Sequence, residues 1–97
     1  MELFNFQVAW QGGELQLTVT PSSERPWLRP PSTYTLPGGE TVSPDRLQPN
    51  LFRIHPETGD TVIQLTGEMT CHTIAAKLTI TIDLADRTRP MLQIDAS

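Results

Sequence analysis

Few residues in this chain could do chemistry. There is one cysteine, Cys71, and there are two histidines, His55 and His72; among the carboxylates, Glu57 with Asp60 and Asp83 with Asp86 stand close enough to act as pairs. A zinc site built from the histidines with Cys71, Glu57 or Asp60 needs three or four ligands converging at about 2.0–2.3 Å. Cys71 and His72 are adjacent, so on a strand they point to opposite faces and share a metal only if a bulge intervenes. His55 and Glu57 flank a proline at a turn, where charged residues are solvated. A nucleophilic Cys71, with His72 or His55 as base, requires a helix N-terminus or a nearby cation to lower its thiol pKa. Cys71 alternates with Met69 in a strand-like pattern, which reads as a buried, inert thiol. Glycosidic acid–base work by the carboxylate pairs is disfavoured, because both pairs fall at turns and strand ends and a short domain has little material to wall a cleft. There is no Gly-x-Ser-x-Gly elbow and no Gly-x-x-x-x-Gly-Lys loop. Gly12-Gly13 and Gly38-Gly39 are not followed by a helix pattern, so they read as turn glycines and not as a phosphate cradle. The sequence therefore predicts no catalytic residue, no metal and no cofactor, and a protein that is not an enzyme.

The stretch Arg25-Pro26-Trp27-Leu28-Arg29-Pro30-Pro31 carries a binding reading. Proline-rich segments serve as polyproline ligands, but the Pro-x-x-Pro spacing is missing here. Two readings remain. Trp27 is a hydrophobic plug closing one end of the core, or Trp27 with Arg25, Arg29 and the nearby Tyr34 forms an exposed patch of the composition that interface hot spots favour. The plug is the favoured reading for Trp27, and the four residues are the candidate binding residues. The other arginine pair, Arg87 with Arg89, reads as solvated surface.

The elements that position these residues are strands. Phe4, Phe6, Val8 and Trp10 alternate with polar or small residues, as do Leu15, Leu17 and Val19, and period-2 alternation marks half-buried strands. Gly12-Gly13 between them supplies the positive φ values of a two-residue hairpin turn. With that turn, Trp10 faces Leu15, Val8 faces Leu17 and Phe6 faces Val19, whereas a slip of one residue sets apolar against polar side chains. Residues 21–50 hold seven of the nine prolines, which excludes a long helix. They also hold Trp27, Leu28, Tyr34, Leu36, Val42 and Leu47, too many apolar side chains for a disordered linker. The expectation is an ordered, irregular excursion packed over one side of the sheet, with a short edge strand over Ser32–Leu36 before a Pro37-Gly38-Gly39 turn. Residues 51–66 read as a second hairpin turning at Pro56-Glu57-Thr58-Gly59-Asp60, with Gly59 in the left-handed position. Strands follow around Met69–Thr73, over Leu78–Leu84 and over Met91–Ile94, with Ile74–Lys77 the one place where a helical turn fits. Six or seven short strands spaced by turn signals predict an all-β domain over residues 1–97, a small antiparallel sandwich or partly open barrel.

Bulk properties narrow the partners. At 97 residues the chain suits one domain, and its net charge of −4 disfavours a general nucleic-acid binder. No apolar run is long enough for a membrane span. One cysteine forms no intrachain disulfide, and the start of the chain lacks the basic and apolar regions of a signal peptide. These features predict a cytoplasmic protein, or a mature domain cut from a longer chain, with no membrane and no nucleic-acid partner. The functional expectation is a non-catalytic interaction module or a small subunit of an assembly, contacting another protein chain through a free sheet edge and the Pro/Trp-rich excursion. Symmetric dimers are the commonest soluble assembly, so a homo-oligomer is expected. The alternatives are a small-ligand binder with a pocket under the 21–50 excursion, lined by Trp10, Trp27, Tyr34 and Arg29, and a small metal- or thiol-dependent enzyme.

Overall fold

The computed structural model of the chain describes residues 3–69 and 76–97. The fold is all-β, and eight strands run through the described residues: β1 (Phe4–Gln11), β2 (Glu14–Pro21), β3 (Tyr34–Thr35), β4 (Thr41–Val42), β5 (Leu51–Ile54), β6 (Val62–Glu68), β7 (Lys77–Asp83) and β8 (Met91–Ala96). No helix among them is long and apolar enough to cross a membrane. The strands form two antiparallel sheets packed together, one ordered β1-β2-β5 and the other β4-β3-β6-β7-β8.

The first hairpin has the register its sequence dictates. Trp10 pairs with Leu15, Val8 with Leu17 and Phe6 with Val19 across the two strands. Gly12 and Gly13 take φ of +62° and +81°, the pair of left-handed residues that lets a two-residue turn follow the strand twist. Leu15, Leu17 and Val19 are wholly buried, because β2 lies between β1 and β5 and faces the second sheet. On the other sheet Ile63 and Leu65 of β6 and Leu78, Ile80 and Ile82 of β7 complete the core. Outward positions of β7 carry Thr79, Thr81 and Asp83, so the alternation of the sequence maps onto the two faces of the sheet.

The second hairpin expected from residues 51–66 does not form. The 56–60 turn is present, with Gly59 at φ +97° and the Asp60 amide donating to the Glu57 carbonyl at 3.1 Å. It leads from one sheet to the other instead of back along the same strand. β5 pairs with β2, setting Ile54 opposite Leu15 and Phe52 opposite Leu17, while β6 pairs with β3 and β7. The reason lies in burial: Leu51, Phe52 and Ile54 are all buried, and the fully buried inner face of β2 offers β5 more apolar contact than the neighbour next in sequence.

The proline-rich stretch is ordered, as expected, and contributes β3 and β4. The predicted edge strand is shorter than Ser32–Leu36 and is not an edge, since the chain folds back after the 37–39 turn and places β4 outside it. The excursion lies close on β6. A Cβ on Gly67 would sit 2.6 Å from Pro31 Cβ and 2.9 Å from Tyr34 Cδ1, so only glycine admits this approach. Tyr34 is fully buried and packs edge-on against Phe52 of the other sheet, ring centroids 4.8 Å apart. A bridge between Pro44 and Phe52 joins the sheets on this side. Counted round the molecule, the strands run β1-β2-β5, across that bridge to β4, and on through β3-β6-β7-β8. The result is a small sandwich or partly open barrel, bridged at the β5–β4 seam and unpaired between β8 and β1 among the described residues.

Candidate functional site

The four residues expected to bind do not share one surface. Trp27 is 65 % exposed, which overturns its reading as a core plug; the neighbouring Leu28, 1 % exposed, fills that role. Arg29 is exposed and Arg25 half-buried, the Arg25 carbonyl accepting from the Leu28 amide at 3.1 Å. Tyr34 lies in the core, beneath any contact surface, and burial raises its phenol pKa above the usual range. Its hydroxyl has no hydrogen-bond partner among the described residues. Trp10, expected to face Trp27 and Tyr34 across a pocket, instead lines a cleft with Arg87 and Arg89.

The candidate reactive groups among the described residues are also dispersed. Cys71 and His72 lie outside the described residues. His55 is exposed and stands 3.3 Å from Glu14, at the end of a surface network in which Arg53 pairs with Glu14 and, at 3.0 Å, with Asp45. A hydrogen bond from Gln16 and the Arg53 guanidinium hold the Glu14 carboxyl below its ordinary range. Arg53 and the amides of Leu47 and Gln48 do the same for Asp45. Asp60, Asp83 and Asp86 each accept a hydrogen bond from a backbone amide within three residues, so these carboxylates shape turns. Among the described residues no group of three or more His, Cys, Asp or Glu side chains is placed to hold a metal ion.

The distinctive feature is the open seam. β1 and β8 end the two strand orders, so each has one unpaired edge among the described residues. Following the antiparallel pairings from strand to strand, β1 and β8 run in opposite directions across the gap. Their inward side chains are the ones the core leaves uncovered. Phe6, Val8 and Trp10 on β1 and Leu92 on β8 are only partly buried, and Ile94 is 38 % exposed. At one end the seam opens into a cleft of about 920 Å³ lined by Phe4, Phe6, Leu78, Leu92 and Ile94. At the other end a cleft of about 600 Å³ lies among Trp10, Arg87, Arg89 and Pro90. There the Arg87 guanidinium sits 5.5 Å from the centre of the Trp10 ring, a cation–π contact. Arg87 also donates to the Asp60 carbonyl at 3.1 Å, so one side chain ties together the end of β1, the 56–60 turn and the turn before β8.

Sequence reasoning missed the seam. Phe6, Leu92 and Ile94 show the same alternation as any half-buried strand, and Arg87 with Arg89 looks like solvated surface. The signal for the site is strand order, which no local pattern carries. Comparison of the chain with models of known families, with curated proteins and with solved structures gives no match.

Proposed function

We propose that this domain is a non-catalytic interaction module that receives an extended segment of another protein chain in the seam between β1 and β8. One observation supports this reading: two strand edges unpaired among the described residues flank inward-facing apolar side chains that the core covers only in part. An unpaired edge is a template for a further strand, whose backbone completes the ladder and whose alternate side chains fill the apolar gap. Phe6, Leu92 and Ile94 would be covered by such a strand, and their burial is worth about 25 cal/mol for each Å² removed from water. A second copy meeting the first edge to edge is the homo-oligomeric form of the same function.

The test compares three proteins in retention of partner chains and in light scattering: wild type, Ile94→Lys and Trp27→Ala. Ile94→Lys places a charge in the seam and is expected to abolish association, while Trp27→Ala leaves it unchanged. The opposite pattern would move the contact to the proline-rich excursion and reject the seam.

A further inference from the structure

We infer that the seam takes the C-terminal end of an extended polypeptide, its α-carboxylate seated between Arg87 and Arg89 beside Trp10. The inference rests on the docking reading above and adds the chemistry and direction of the occupant. The two ends of the seam differ in charge. The larger cleft, lined by residues 3–7 of the β1 side and by Leu92, Ile94 and Ala96 of β8, has no ionisable side chain in its lining. The smaller cleft carries two guanidiniums in a chain whose net charge is −4. A segment complementary to both is uncharged along its body and anionic at one end.

The seam is also blind at the arginine end. Arg87 reaches from the turn before β8 to the Trp10 ring on β1 and so spans the gap. Its hydrogen bonds to the Glu57 and Asp60 carbonyls hold it there. A guanidinium has five N–H donors, so these bonds leave others to offer. The Arg89 amide donates to the Asp86 carbonyl at 3.0 Å, while its guanidinium makes no ion pair among the described residues. A strand entering from the Phe4–Ala96 end meets this barrier and stops, which selects a chain terminus. Two cations repel an amino terminus and bind a carboxylate, and Arg matches carboxylate geometry with paired N–H donors. With its C-terminus at Trp10, the segment runs parallel to β1 and antiparallel to β8. β8 spans six residues, so the segment in contact is about 20 Å long. Its alternate residues are apolar and face Phe6 and Leu92.

The experiment uses a random pool of N-acetylated hexapeptides, prepared once as free acids and once as C-terminal amides. Both pools are presented to the Trp27→Phe protein, whose remaining tryptophan, Trp10, reports on the site by fluorescence. Free-acid peptides with apolar residues at alternate positions should be retained and should shift the Trp10 emission. Amidation should weaken binding by about tenfold or more, the scale of a lost charge-assisted contact. Arg89→Gln should lose the same preference for the acid, whereas Arg25→Gln with Arg29→Gln, which removes two charges outside the seam, should keep it. Equal retention of acid and amide would overturn the carboxylate inference and leave the docking reading standing. Retention of neither pool would overturn both. A Trp10 shift produced by sodium acetate alone, with no peptide retained, would mean that the arginines take a small anion and not a chain end.

Discussion

The two seams of the barrel face the same task and meet it differently. At the β5–β4 seam the proline-rich stretch supplies what the sheets lack. Pro44 bridges to Phe52, and the Asp45 amide donates to the Leu51 carbonyl at 2.8 Å. Tyr34 and Phe52 cross the gap ring to ring, and Arg53 pairs with Asp45 over the outside. At the β8–β1 seam the Arg87–Trp10 contact spans the opening, and Leu92 and Ile94 stay partly wet. On the proposed reading, this chain holds together by one bridged seam and keeps the other for a visitor. Stability and association should therefore map to opposite sides of the molecule.

Substitutions can break that comparison. Phe52→Ala at the bridged seam should have the largest effect, about 3–5 kcal/mol of lost stability from the cavity and lost burial, read from urea unfolding. Gly67→Ala forces a Cβ against Pro31 and Tyr34 and should cost about 1–3 kcal/mol as overpacking. Ile94→Lys at the open seam should change unfolding by no more than about 0.5 kcal/mol, as surface substitutions do, while abolishing association. The smallest effect is one of pH. Glu14 and Asp45 have folded pKa values below their ordinary 4.5 and 3.8. The stability they contribute is thus present above those values and is lost as pH falls through and below them. The groups of the network are solvent-accessible, so the loss is small. Urea midpoints followed from neutral pH into acid should fall less steeply for Arg53→Met than for wild type.

The legible parts of the fold were those fixed by neighbours in sequence. The Gly12-Gly13 turn permits one register, and the apolar pairs Trp10–Leu15, Val8–Leu17 and Phe6–Val19 enforce it. The alternation from Leu78 to Leu84 likewise follows the buried face of β7. Choices made between distant segments were not legible. β5 chooses β2 over the adjacent β6 because tertiary burial outweighs proximity, and no property of residues 51–66 alone encodes that competition. Trp27 and Leu28 exchanged roles because an irregular segment has no period to say which of two adjacent apolar residues turns inward. A free edge on β1 and β8 was beyond reach for the same reason, since edge status belongs to the sheet order and not to the strand. That some strand would keep a free edge was legible; which strand was not.

Amide hydrogen exchange on the domain, alone and with the free-acid hexapeptide pool, tests the central claim most directly. Backbone amides at an unpaired edge exchange readily, and an added strand protects them. The expected result is new protection confined to Phe4–Trp10 and Met91–Ala96. Protection that appears instead around Arg25–Arg29, or an exchange pattern unchanged by the peptides, would contradict it.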